Sequence, residues 1–278
     1  MNPMNWKPSN PLSVDQDRTL QQAESSMSVR LIATFDGLKT ITSEATVSQA
    51  LGIANEGGFD YLPVRHELHG PFIGLFDRSS FQSENQLVRE VYYPIGPTDL
   101  ISAETSLLHF VWTANQQPRR LVLEGTEIRG IVTLSDIQKL PVRMALFSLF
   151  IHFELLLTEH LRQKVGNKDP LSFLSEVRAN IVRGKWQQFI ASNMDQDIFS
   201  AMDLCDKREV AQAMKVLRRS NNSIKSEIWD IERYLRNPIA HGAEYAENRE
   251  AAGRTITAAI ATKEWIDEFR RALSSHDS

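Results

Sequence analysis

The feature that most limits how this chain folds is a repeat. Residues 41–55, ITSEATVSQALGIAN, align without a gap on residues 101–115, ISAETSLLHFVWTAN. Ile41 meets Ile101, Glu44 meets Glu104, Val47 meets Leu107, and Ala54-Asn55 meets Ala114-Asn115. Each copy continues into a short apolar run, YLPV at 61–64 and LVLE at 121–124. A second run follows, opened by a glycine-bearing turn: HGPFIGLFDRSS at 69–80 and IRGIVTLSDIQK at 128–139. Self-similarity at a fixed offset marks duplicated supersecondary units. Within each copy the pattern predicts strand, amphipathic helix, two short strands and a helix. Neither copy is long enough to bury its apolar faces alone, so the two must pack together.

This order of elements and these residues resemble a CBS domain pair over roughly residues 27–140. The resemblance implies an α+β fold whose paired domains form clefts for an adenine nucleotide, here a regulatory ligand. The family signature is Gly, two apolar residues, Ser or Thr, two more residues, then Asp. The second copy carries it as GIVTLSD, with Gly130, Thr133 and Asp136. By the resemblance, Asp136 would receive the ribose hydroxyls and Thr133 would face phosphate. The strand opening the second copy, near Ile101, would complete the cleft. A carboxylate at a helix start can accept two hydroxyl hydrogen bonds, and helix N-terminal amides attract phosphate. Arg119 and Arg120, just before LVLE, are candidates by charge and position to neutralise that phosphate. Thr133 and Asp136 are equally ordinary helix caps, which need no ligand. The first copy reads GLFDRSS, with Asp77 in place of the Thr and Ser80 in place of the Asp. One competent cleft is therefore expected.

After Pro141 the strand patterns stop. Residues 142–165 read as one long apolar helix, LSFLSEVRANIVRG follows a helix start at Asp169, and FSAMDLCDKREVAQAMKVLRR reads as another helix. Ile224, Ile228, Ile231 and Leu235 recur at spacings of four, three and four, which is one helix face. With a last helix through AAGRTITAAIATKEWIDEFRRAL, the half reads as an all-α bundle of four or five helices. At its centre stands RYLRNPIAHG, residues 233–242. A residue before proline is pushed out of the helical region, and proline donates no backbone hydrogen bond. The helix should therefore stop near Arg236, with the next turn bringing His241 back toward Arg236 and Asn237. Arg is a forked permanent cation for phosphate, and His moves protons near neutral pH.

RNPIAH is similar to the signature of the HEPN family: Arg, a polar residue, about three residues, then His. The resemblance covers about residues 142–275. It implies a helical bundle that dimerises, two copies of the motif forming one composite RNA-cleaving site. Arg236 would stabilise the phosphate, Asn237 would orient, and His241 would assist attack by the 2′-hydroxyl or protonate the leaving group. No metal is expected for that chemistry. Family members often add an acid from the first helix: Glu154 in HFELLLTEHLR is the natural candidate, with Glu159 the other. The same Arg-x4-His spacing occurs in RALSSH at Arg271 and His276, without the proline or the polar second residue, and is read as coincidence.

Composition sets the remaining bounds. A formal net charge of −4 gives no global basic signature for nucleic acid, so RNA contact must come from a local patch. Cys205 is the only cysteine, which allows no intrachain disulfide and no multi-cysteine zinc site, and fits a reducing compartment. Residues 1–26 have no apolar core of a secretory signal and read as a flexible tail. The most apolar run, 144–157, is short of a membrane span and holds His152 and Glu154, so it reads as a buried helix. The expected organisation is a tail (1–26), a tandem CBS sensor (27–140) and a HEPN-like helical domain (141–278). The expected protein is cytoplasmic, free of membrane and a homodimer or higher homo-oligomer. Its expected function is a nucleotide-regulated, metal-independent endoribonuclease leaving 2′,3′-cyclic phosphate ends, suited to a toxin or antiviral defence role. The alternative is a non-catalytic nucleotide-sensing module for dimerisation or partner binding.

Overall fold

The computed structural model describes residues 14–194, 196–216, 224–242 and 244–274. In chain order the elements are α1 (Val14–Ser26), β1 (Ile41–Thr42), α2 (Val47–Gly57), β2 (Tyr61–Arg65), β3 (Phe72–Asp77), β4 (Tyr93–Pro94), β5 (Leu100–Ser102), α3 (Leu107–Thr113), β6 (Arg119–Glu124), β7 (Glu127–Thr133), α4 (Leu140–Val165), α5 (Glu176–Ala191), α6 (Leu204–Ala213), α7 (Ile224–Ile231), α8 (Asn237–Ala240) and α9 (Arg249–Ser274). They form two compact units. Residues 28–136 make one, and the residues before and after them make the other. The boundary falls inside a single 3-10 turn, Leu134–Gln138.

The α+β unit is built twice. In each copy a parallel pair is followed by an antiparallel one: β1–β2–β3, closed by β4, and β5–β6–β7. Each second strand carries a bulge at the same place, between Val64 and Arg65 and between Val122 and Leu123. These ladders correct the register read from sequence. Val64 corresponds to Val122, so Leu62 corresponds to Arg120, and the second strand of the later copy begins at Arg119 rather than Leu121. Thr46 and Ser106 cap α2 and α3, each accepting the amide three residues on, so the matching SEATV and AETSL segments share one helix start. Val47, Ala50, Ala54, Leu62, Val64 and Phe76 form the core of the first copy, and Leu107, Phe110, Val111, Leu121 and Val122 are buried in the second.

The duplication begins earlier than the sequence alignment shows. Residues 28–37 and 87–96 match as well, and each segment crosses to the other copy. Val29 and Arg30 amides bond the Thr105 and Ala103 carbonyls, and Val88 and Arg89 amides bond those of Ala45 and Ser43. Arg30 pairs with Glu104 at 2.7 Å, and Arg89 pairs with Glu44 at 2.9 Å. Thr34 bridges Ile131 of β7, while β4 lies along Gly74 and Leu75 of β3. Glycine is what allows that approach. A Cβ at Gly130 would stand 2.7 Å from the Thr34 carbonyl oxygen, and one at Gly74 would stand 2.5 Å from that of Tyr93. The exchange binds the two copies into one body.

The helical unit centres on α4 and α9, where Phe153 lies 6.1 Å from Phe269 and Trp265 stacks on Phe269 at 5.4 Å. At 26 residues α4 is longer than the apolar run suggests. By length and composition it could cross a membrane. It is instead packed against α1, α6 and α9, with thirteen buried residues, His152 and His160 among them. Asp169 caps a 3-10 turn, Pro170–Phe173, and α5 starts later at a Ser175 cap.

Residues 14–26, expected as part of a flexible tail, are helical and pack on α4. Glu24 Oε1 lies 2.9 Å from Nδ1 of the fully buried His152, whose Nε2 lies 3.1 Å from the Arg270 guanidinium. Arg donates and never accepts, so the neutral imidazole carries its proton on Nδ1 and donates it to Glu24. That bond ties the N-terminal helix into the bundle. Residues 1–13, the rest of the expected tail, lie outside the described residues, as do Arg218, Arg219 and His276.

Candidate functional site

Two places carry chemistry, one in each unit. In the α+β unit a cavity of about 400 Å³ opens between β5, α3 and the start of β6, lined by Ile101, Ser102, Thr105, His109, Thr113 and Arg120 among others. Arg120 is the feature to explain. It is only 7% exposed, and the hydrogen bond found for it runs from Nη2 to the Thr113 carbonyl at 3.4 Å. Burial pulls its guanidinium below the ordinary arginine range. A buried cation without a carboxylate is costly unless an anion is brought to it. The first copy has Leu62 there, fully buried, and Ala45 and Ile53 where the second has Thr105 and Thr113. One polar cleft and one apolar counterpart result. The expected asymmetry thus also has a source other than Asp77 and Ser80.

The sequence-predicted ligand residues divide between two faces. Side chains alternate along a strand. Arg120 and Ile101 therefore share the cleft face, while Arg119, paired in register with Thr133, faces the other way. Arg119 stacks over Tyr61 at 4.7 Å and Tyr93 at 5.5 Å. Asp136 is buried and accepts the Thr133 amide at 2.6 Å and the Thr133 hydroxyl at 3.2 Å, and neither residue lines the cavity. In the first copy the polarity is reversed: Asp77 Oδ1 accepts from the Ser79 amide and hydroxyl at 2.9 and 2.6 Å. Gly130 faces the Thr34 and Phe35 segment, so its place in the signature is explained by the close crossing. Thr133 and Asp136 form the capping arrangement that their residue types also allow, and Ile101 and Arg120 form the cleft.

In the helical unit the helix does not stop before Pro238, contrary to the expectation. Asn237 keeps helical angles (φ −65°, ψ −48°), and α7 runs through a π turn, Glu232–Arg236, into α8. The wide turn sends the Asn237 amide to the Glu232 carbonyl, five residues back. Pro238 removes the amide donor that would reach the Tyr234 carbonyl, four residues back. The buried Thr255 hydroxyl serves that carbonyl instead, at 3.2 Å, and shares itself with the Tyr245 carbonyl at 2.8 Å. Helix α8 then ends as a C-terminus should, with His241 leaving helical angles and Gly242 left-handed at φ 69°. Arg143 of α4 reaches the last carbonyls, Pro238 and Ile239, both at 3.4 Å.

The arrangement brings Arg236 and Asn237 together, with Nη1 donating to Asn237 Oδ1 at 2.8 Å. His241 follows Asn237 by one turn, its amide on the Asn237 carbonyl at 3.1 Å, and is exposed. Glu154 is paired elsewhere, with Lys207 of α6 at 2.8 Å, and lies about 16 Å along α4 from Arg143 at 1.5 Å per residue. Glu159, the other candidate, pairs with Arg162 at 3.3 Å. Asp203, Cys205 and Asp206 bring three metal-type ligand atoms within 4.8 Å of one another. Both carboxylates, however, hold Arg178, at 2.9 and 2.7 Å, and burial pushes the Cys205 thiol up.

No protein-family model matches the chain, and no curated protein matches its sequence. Among solved structures the chain is similar to the CBS domain of a bacterial CNNM/CorC family Mg2+ transporter in complex with ATP, at 17% identity over 48% of this chain and 96% of that one, with a TM-score of 0.37. It is similar also to a CBS domain protein of unknown function from Thermoplasma acidophilum, at 22% identity over 44% and 75%, TM-score 0.34. An uncharacterised conserved protein from Pyrococcus horikoshii matches at 19% identity over 41% and 90%, TM-score 0.36.

Proposed function

We propose that the α+β unit is a CBS-type pair that senses an adenine nucleotide and that the helical unit is its output. The observation that carries the sensing role is the buried Arg120 guanidinium lining a cleft, with no carboxylate paired to it among the described residues. A phosphorylated ligand supplies the missing charge, and the exposed His109 with Thr105 and Thr113 offers hydrogen bonds to the rest. Ligand at a hundredfold excess over Kd should stabilise the full chain by about 2.7 kcal/mol. A melting temperature that stays fixed across a panel of adenine nucleotides would overturn the sensing role.

For the output we propose a HEPN-type, metal-independent endoribonuclease acting as a homodimer. The observation that favours it is the Arg236–Asn237 pair with exposed His241 one turn on, at a helix end. Asn237 holds the guanidinium where a scissile phosphate can meet it, and the imidazole is free to solvent for proton transfer. Glu154 pairs with Lys207 and is given no role in this reading. Single-stranded RNA incubated with the protein in EDTA should be cut to 2′,3′-cyclic phosphate ends, and H241A should lower the rate at least a hundredfold. Cleavage equal in H241A would overturn the His241 site, and no cleavage with any nucleotide present would leave the helical unit a non-catalytic platform.

A further inference from the structure

Building on the reading of the cleft as a nucleotide site, we propose that it selects a nucleotide bearing one phosphoryl group over the di- and triphosphate. Charge is the first ground. Among the lining residues Arg120 is the single permanent cation, and Arg119 is turned to the opposite face and stacked on Tyr61 and Tyr93. A terminal phosphoryl group carries about −1.5 to −2 at pH 7, of which one guanidinium offsets roughly half to two thirds through a bidentate bond. Each added phosphate brings further negative charge with no second cation in the lining to receive it.

Size is the second ground. A volume of about 400 Å³ lies near the lower end of the roughly 300–1,000 Å³ usual for small-molecule sites. The first copy presents Leu62 where the cation would stand, so one ligand per chain is expected.

Isothermal titration of the full chain with adenosine, AMP, ADP and ATP in magnesium-free buffer tests this. AMP should bind with a stoichiometry of one and at least tenfold tighter than either ATP or adenosine. R120A should bring AMP down to the affinity of adenosine, and R119A should leave the AMP preference intact. If R120A fails to fold, R120M keeps the apolar stem and carries the same comparison. ATP binding as tightly as AMP, or a preference lost in R119A but kept in R120A, would overturn the inference while the site stays a nucleotide site. Binding of none of the four would instead overturn the nucleotide reading beneath it.

Discussion

Thr255 has one hydroxyl proton and two carbonyls to serve, those of Tyr234 and Tyr245. Its replacement by Val keeps the shape and leaves both oxygens without that donor at a site 2% exposed. An unsatisfied buried polar group costs about 1–3 kcal/mol, so T255V should lower unfolding free energy by that amount in urea titrations, and T255S should restore most of it. Nothing in the sequence announces this residue. Pro238 takes away the amide four residues on from Tyr234 only because the helix continues through it, and local rules end that helix before the proline. The sequence does announce Arg119 and Arg120 as cations next to a strand. It cannot say which of two neighbours faces the cleft until the register is known, since a one-residue slip exchanges the faces.

Glycine positions show how elements differ in what they tolerate. Gly130 sits under a crossing segment, and a methyl there would press on the Thr34 backbone. Gly52 lies on α2 with nothing within 4 Å of a built Cβ. G130A should therefore destabilise the α+β unit by about 1–3 kcal/mol as an overpacked site, and G52A should stabilise it by about 0.5–1 kcal/mol through helix propensity. Opposite shifts of the melting temperature are the readout. The duplicated strands and α2 and α3 are legible in the sequence because apolar spacing and cap residues repeat there. The crossing segments at 28–37 and 87–96 are not, since the shared signal is little more than Val29-Arg30 against Val88-Arg89 and a glycine, Gly37 against Gly96. The offset also drifts from 60 in the helices to 58 in the second strands and 56 in the third, as connections shorten in the later copy. For the helical unit, apolar spacing reveals α7 and α9, whereas the π turn escapes because local rules treat Pro238 as a stop and the helix continues through it.

At the scale of the molecule, the two repeats and the helical run are enough to separate an α+β region from an α-helical one. The N-terminal helix escapes, since its docking depends on a distant buried His152 and not on its own weak apolar face. Leu140, Met144 and Phe147 recur at spacings of four and three on α4 and are 67%, 56% and 45% exposed. Arg143, on the same two turns, holds the end of α8. The homodimer proposed above would cover this apolar stripe, and charged residues there would oppose that association. F147E should shift the protein from dimer to monomer in light scattering and abolish RNA cleavage with it, and an unchanged mass would remove the stripe from the interface. The seam between the units has its own consequence. Asp136, braced by Thr133, ends one unit, and Ile137, whose carbonyl takes the Tyr245 hydroxyl at 2.6 Å, begins the other. No spacer is available to cut. Joining the α+β unit to a foreign domain, or freeing the helices for separate study, would sever a helical turn anchored on both sides and leave each fragment with a frayed end.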